Sequence, residues 1–369
     1  MYHAPASGYD RFVNVRTFIM TVSLVLSVLI GLVLARGRGG GGGEAAATES
    51  GGGGGELLIG ISLDTLKEAR WQADRDLLVA KCKELGATAL VQSANSDDTR
   101  QMQDVEALIT RGVRALIIVP HDSKTMARAV ELAHKSHIPV ISYDRMIRDA
   151  DVDLYVSFDN QRVGTQQAEY LLKHLPNGKG KIVRIYGAPT DDNAKMLKTG
   201  QDEVLKPAID KGDIQVIHED WAEEWKPENG KKIVNAAITQ HGRELDAVLA
   251  ANDGTAGGAI QGLTEEGIAG KVLVTGQDAE LAALQRIAAG QQTMTIYKPL
   301  KVLAGNAAAA AVKLAKHEVV VAKATVNNGK LDVPAILSET MAVDKANLEA
   351  TVIKDGFHTK DEIYRGLGQ

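Results

Sequence analysis

The chain has 369 residues, 44% of them apolar and 24% charged, and a formal net charge of −5. That length exceeds one ordinary hydrophobic core, so two domains are expected, and the composition is globular rather than disordered. The mild acidic excess without a basic patch speaks against nucleic acid as a partner, and the one cysteine, Cys82, rules out a disulfide framework or a thiolate metal cluster.

At the N-terminus, Arg11 and Arg16 precede an uncharged apolar run from Thr17 to Ala35, and Val33-Leu34-Ala35 supplies small residues at a cleavage site. Residues 1–35 therefore read as a signal peptide. The length of the run and the following Arg36 and Arg38 suit a signal-anchor equally, with residues 17–35 retained in the membrane. Either way the bulk of the chain is expected outside the cytoplasm, touching membrane only through this segment. Gly39–Gly43 and Gly51–Gly55 bracket a short polar stretch, so residues 36–55 read as a flexible tether.

From Leu57 the chain alternates short apolar runs with helical periods, the βα pattern of a mostly parallel sheet. Strands are expected at 57–61, 88–92, 115–119, 139–143 and 154–158, with helices at 71–85, 99–110 and 126–134 between them. Cys82, inside the first helix, reads as a buried inert thiol. The pattern then restarts with helix 163–174, strand 181–186, helix 194–205, strand 214–217, helix 228–240, strand 247–250, helix 255–265, strand 272–275 and helix 279–288. A last buried strand at 293–296 and a long helix at 300–316 close the series. Two successive α/β units of similar size result.

Ligands of open parallel sheets bind outside the carboxyl ends of the strands. Here those ends carry Asp64, Asn95, His121-Asp122, Asp144-Arg145, Asp159-Asn160, Asp192-Asn193, Asn252-Asp253 and Gln277-Asp278. One such ending is an ordinary turn or helix cap, and Asp64, Asp122 and Asp253 are open to that reading. Asp144 beside Arg145 reads either as a structural ion pair or as a set of acceptors and donors for vicinal hydroxyls. Repetition across both units favours a polar cleft. Trp71 in the first unit and Trp221 and Trp225 in the second could supply flat apolar faces to a ring, or simply fill gaps between domains. No G-x-S-x-G, H-E-x-x-H or Walker A motif is present and no Rossmann glycine motif follows the first strand, so no enzyme signature is found. Gly254-Thr-Ala-Gly-Gly258 reads as a place where a helix N-terminus approaches a sheet or ligand closely.

Several runs resemble the periplasmic D-xylose-binding proteins of bacterial ABC transporters: Arg70-Trp71, Tyr143-Asp-Arg-Met-Ile147, Asp192-Asn-Ala-Lys195, Asn252 to Gln261, Thr275-Gly-Gln-Asp-Ala279 and Gln292-Thr-Met-Thr-Ile-Tyr-Lys-Pro299. The resemblance implies the type I periplasmic binding fold, two doubly wound parallel-sheet lobes joined by a three-crossing hinge. The lobes would be 56–160 plus 297–328 and 161–296 plus 329–369, with crossings near Asn160, Ile296 and Asn328-Gly329. It further implies that Arg70, Asp144 and Arg145 from the first lobe, Asn193, Asn252 and Asp278 from the second, and Lys298 beside a hinge bind sugar hydroxyls, with Trp71 and Trp225 stacked on the ring. Asp192 departs from the family's asparagine. The implied function is delivery of D-xylose or a similar monosaccharide to an ABC permease by a monomer that needs no cofactor or metal. A membrane-tethered sugar-sensing ectodomain is the alternative.

Overall fold

A computed structural model describes residues 56–367 of the chain. The expected signal or anchor and most of the tether lie outside the described residues. In the first lobe β1 (Leu58–Leu63), β2 (Thr88–Ser93), β3 (Ala115–Ile118), β4 (Val140–Tyr143) and β5 (Leu154–Phe158) alternate with α1 (Ala69–Glu84), α2 (Asp98–Thr110) and α3 (Ala127–Lys135). Both faces of this sheet are covered, which is why its strands read as unbroken apolar runs. In β3, Ala115 and Ile117 join a core cluster with Leu303 and Ala307, whereas Leu116 and Ile118 join one with Val105 and Val130 on the opposite face.

The second lobe contains α4 (Asn160–His174), β6 (Gly180–Tyr186), α5 (Asp192–Asp210), β7 (Ile214–Trp221), α6 (Pro227–His241), β8 (Ala247–Ala250), α7 (Asp253–Glu265), β9 (Leu273–Val274), α8 (Leu281–Ala288) and β10 (Met294–Tyr297). Its parallel sheet runs β7-β6-β8-β9. Two helix pairs here cross on glycine. A Cβ on Gly164 of α4 would come 2.0 Å from the Leu197 carbonyl of α5, and one on Gly258 of α7 would come 1.8 Å from the Pro227 carbonyl of α6. Gly258, at the end of the glycine run after β8, thus serves a helix–helix approach.

After β10 the chain returns to the first lobe. Helix α9 (Leu300–Ala315) packs on α1 in the first lobe's core. Three strands then follow that the apolar pattern did not announce: β11 (Ala324–Asn327), β12 (Asp332–Ser338) and β13 (Met341–Asp344). The first lobe's sheet is ordered β11-β12-β5-β4-β3-β1-β2, with β12 parallel to β5 and β11 antiparallel on its edge. The expected crossing at Asn328-Gly329, and the lobe boundary drawn there, are therefore corrected. That dipeptide is the turn of the β11–β12 hairpin, with Gly329 at a φ of +97° that suits glycine. The third crossing lies at Ser338–Met341, beyond a strand whose Val333 and Ala335 bury in the first lobe. The other two crossings are the β5–α4 and β10–α9 junctions, and β13 pairs antiparallel with β10. The short α10 (Lys360–Ile363) ends the described chain on the second lobe's Leu284 and Ile287 cluster.

Candidate functional site

Strand β4 ends in a sharp turn. Asp144 has a φ of +60°, a region costly for most L-residues but tolerated by aspartate. The turn is held from several sides. The Asp144 N–H donates to the Val156 carbonyl at 2.8 Å, and its own carbonyl accepts from the Tyr155 hydroxyl at 2.9 Å and the Ser157 hydroxyl at 2.6 Å. The two neighbouring charges are thereby sent apart and do not form the ion pair with each other that their adjacency allowed. Asp144 Oδ2 accepts from Arg70 Nη2 at 2.8 Å, while Arg145 Nη1 donates to Asp64 Oδ2 at 2.7 Å.

The second lobe meets these groups across the cleft. Asn193 Nδ2 donates to Asp144 Oδ1 at 3.0 Å, Arg145 Nε lies 2.9 Å from Asp191 Oδ2, and Arg70 Nη1 lies 3.3 Å from Asp278 Oδ1. Lys298 Nζ stands 3.6 Å from the same Asp278 oxygen. All nine residues expected from the sequence are buried, and all line one cavity that is partly open to solvent. Trp71 enters from the first lobe with the Arg70 guanidinium 4.0 Å from its ring centroid. Trp225 enters from the second, with its Nε1 donating to Asp191 Oδ2 at 3.1 Å and its ring laid against Gly187, where a Cβ would come within 2.1 Å. Trp221, in contrast, packs against Tyr186 and does not line the cavity.

A periplasmic binding protein domain is matched over residues 59–318. The chain is 47% identical over 308 residues to the D-xylose-binding periplasmic protein of Escherichia coli (strain K12), covering 84% of this chain and 93% of that protein. The chain belongs to the type I periplasmic sugar-binding protein family. A second relative, the D-xylose-binding periplasmic protein of Haemophilus influenzae, is 47% identical over 84% of this chain and 92% of its own length. Among solved structures, the carbohydrate transporter solute binding protein of Chloroflexus aurantiacus in complex with D-glucose superposes with a TM-score of 0.78 at 34% identity, covering 84% of this chain and 98% of that one.

In this periplasmic binding protein the cavity side chains are backed by a second layer. Asp74 accepts from Arg70 Nε at 3.2 Å and Nη2 at 2.9 Å, and also from the Tyr143 hydroxyl. Burial raises the Asp74 carboxyl against the pull of Arg70. Burial also opposes ionisation of Asp144, but the charges of Arg70 and Lys298 outweigh it and hold that carboxyl below the usual range. For Arg145, burial works against its charge, yet Asp191 and Asp64 leave it more firmly protonated than an ordinary arginine.

Three further residues line the cavity that were not among the nine expected ligand residues: Glu68, Asp191 and Gln277, the last of which stands in a family run and at a strand end. Glu68 Oε2 and Gln277 Oε1 are buried acceptors without a partner in the protein. Asp191 carried a local signal, since it is the N-cap of α5 and its side chain accepts from the Asn193 N–H at 2.9 Å. Several of the polar strand ends do serve only locally. Asp122 accepts from the Lys124 and Thr125 amides, and Asp159 caps α4. Asn252 does both jobs. Its Oδ1 caps α7 by accepting from the Thr255 N–H at 2.9 Å, while its amide NH₂ takes no part in the cap.

Asp253 is neither a simple cap nor a cavity residue. It is fully enclosed behind Asp278, accepting from Gln292 Nε2 at 2.8 Å, the Thr295 hydroxyl at 2.9 Å and the Glu280 N–H at 3.0 Å. Burial, then the nearby Asp278, pushes its carboxyl up to about 7, and burial with Asp253 and Asp278 pushes Glu280 up to about 8. Both folded-state values lie above those of the unfolded chain, so the folded state holds protons that the unfolded state has released. Their contribution is present below about pH 4 and is lost as pH rises towards 8, at up to about 1.4 kcal/mol per pH unit for each proton held. His358, lowered by burial, acts in the opposite sense and only towards the acid side of its ordinary value. The urea midpoint is therefore expected to fall between pH 6.5 and 8, and Asp253→Asn is expected to flatten that slope; a flat wild-type profile would remove Asp253 and Glu280 as buried acids.

Proposed function

We propose that this protein captures D-xylose, or a monosaccharide of similar size and hydroxyl pattern, in the periplasm and passes it to the membrane permease of an ABC transporter. The observation that carries the reading is the convergence of Arg70, Asp144, Arg145, Asn193, Asn252, Asp278 and Lys298, drawn from both lobes, on one cavity with an indole from each lobe in its wall. Carboxylates offer acceptors and guanidiniums offer forked donors, the pairing that vicinal hydroxyls require. The unpartnered acceptors of Glu68 and Gln277 add places for hydroxyl donors. The names of the two relatives at 47% identity point to the pentose.

Capture follows from the cross-lobe contacts. Asp144 and Arg145 belong to one lobe and their partners Asn193 and Asp191 to the other, so a ligand bonding both groups is held best with the lobes together. No turnover is proposed. Of the four cavity carboxylates, Asp144, Asp191 and Asp278 are tied to guanidiniums and Glu68 lies beside the Lys67 ammonium, and the carboxyls with values near neutrality, Asp253 and Glu280, do not line the cavity. Isothermal titration calorimetry of the exported protein with D-xylose, D-ribose, L-arabinose, D-glucose and D-galactose tests the proposal. Binding of D-xylose with a change in tryptophan fluorescence is expected. No heat with D-xylose beside tight binding of another sugar would overturn the pentose assignment, and no heat with any sugar would overturn the reading altogether.

A further inference from the structure

The Asp192 side chain has a place outside the cavity. Asp191 and Asn193 line the cavity, but Asp192 between them does not. It turns towards the loops that follow β3 and β4 in the first lobe. Its Oδ2 lies 3.4 Å from Arg148 Nη1, and its backbone N–H donates to the Ser123 hydroxyl at 3.0 Å. Next to these, the Ser123 N–H donates to the Thr190 carbonyl at 3.2 Å. All three contacts cross from one lobe to the other, and Ser123 and Asp192 are both buried.

The first lobe's half of this contact is already assembled without the second lobe. Arg148 donates its backbone N–H to the Ser123 carbonyl at 2.8 Å and its Nη1 to the Asn327 carbonyl at 2.9 Å. Asn328 then fixes the same loop by donating to the carbonyls of Ile147 and Ala150. The hairpin turn that the sequence suggested as a hinge crossing is thus the platform on which Arg148 rests. In the second lobe the docking group sits at the first turn of α5, between two cavity residues. Whatever seats Asp192 on Ser123 and Arg148 also sets where Asp191 and Asn193 stand relative to Asp144 and Arg145.

We propose that Ser123, Arg148 and Asp192 form an interlobe latch, a set of positioning residues that favours the closed arrangement without touching the ligand. The effect on sugar affinity rests on the function proposed above; the latch itself does not. Because its contacts exist only when the lobes meet, its free energy enters the closed population and not the recognition of any hydroxyl. A partly exposed, charge-assisted contact of this kind shifts affinity by about threefold to tenfold.

The test uses the full-length chain. Arg148→Met is expected to raise Kd for every binding sugar by the same factor, through a faster off-rate. Asp192→Asn is expected to weaken binding when Arg148 is present and to be neutral or restorative when Arg148 is already methionine, since it then removes a carboxylate left without its partner. Arg148→Lys should recover part of the loss. Should Arg148→Met lower the melting temperature, Ser123→Ala, which removes the hydroxyl that accepts from the Asp192 backbone N–H, is read in its place by an equal rise in Kd for every sugar, the double-mutant criterion applying to Arg148 alone. An unchanged Kd, a loss that differs between sugars, or strictly additive effects of Arg148→Met and Asp192→Asn would each overturn the latch. A second readout separates this inference from the sugar assignment. Nitroxides at the exposed positions Lys135→Cys and Glu228→Cys, one on each lobe, report the ligand-free interlobe distance. If no sugar binds, the proposed function fails, and the latch is decided by that distance alone. A shift of the distribution on Arg148→Met upholds it; an identical distribution overturns it.

Discussion

Replacing Asp144 by alanine is expected to weaken D-xylose binding by roughly 2–4 kcal/mol, about thirtyfold to a thousandfold in Kd. The carboxylate holds three things at once. It accepts from Arg70 at 2.8 Å, receives the Asn193 amide at 3.0 Å from the other lobe, and faces the cavity. Without it, Arg70 keeps Asp74 behind and Asp278 across, but its closest cavity-side partner is gone and a hydroxyl loses its acceptor. Alanine also tolerates the φ of +60° less well than aspartate, so part of any loss belongs to the backbone. Asp144→Asn separates the two, because asparagine accepts that backbone region while it removes the charge and turns one of the two accepting oxygens into a donor. Calorimetry on both variants, with melting curves as a check on folding, decides the matter. An affinity unchanged in Asp144→Ala would take this residue off the ligand.

The second large effect concerns stability and has a built-in control. In Gly258→Ala the new Cβ would lie 1.8 Å from the Pro227 carbonyl, so α6 and α7 must move apart. Overpacking of this kind costs about 1–3 kcal/mol, and an upper-range loss is expected because the clash is with backbone, which cannot rotate away. The gain in helix propensity from glycine to alanine, about 1 kcal/mol, offsets only part of it. Gly305→Ala in α9 meets nothing within 4 Å and keeps only that gain. Urea unfolding of the two variants should therefore move the midpoint in opposite directions. Because Asn252 caps α7 and lines the cavity, Gly258→Ala should also weaken sugar binding, whereas Gly305→Ala should not.

Much of this protein can be read directly from residue order. The helices before α10 occur within a few residues of where the apolar period puts them, and most stop at a glycine or polar cap. Most strands before β11 are equally legible, being apolar runs that a covered sheet requires, although the polar second half of β7 is not. The last three were not. Strands β11 and β12 are half-buried and interrupted by Pro334, and their partners β5 and each other lie far apart in sequence or in a hairpin. Without them the third crossing was placed at the nearest Asn-Gly turn, ten residues too early.

The chemistry of the cleft was visible for a related reason. A polar residue at the end of most strands is a local fact, and five of these, Asp144, Arg145, Asn193, Asn252 and Asp278, are among the nine cavity residues that the family resemblance implied. What local reading could not do was separate ligand groups from caps and braces. Asp122 and Asp159 look like Asp64 in sequence, yet the first two cap turns and helices while Asp64 braces Arg145.

By itself, the order of residues determined two α/β units, the set of polar groups at their strand ends and the runs that mark the family, because each depends on periodicity or on contiguous motifs. Only the tertiary structure decided that Asp144 and Arg145 turn away from each other to meet Arg70, Asp64 and Asp191, that Asp191 belongs to the cavity and Asp192 to the opposite lobe's loops, and where the chain crosses between lobes. Those outcomes depend on one left-handed backbone turn and on side chains brought together from dozens to hundreds of residues away, which no local pattern encodes.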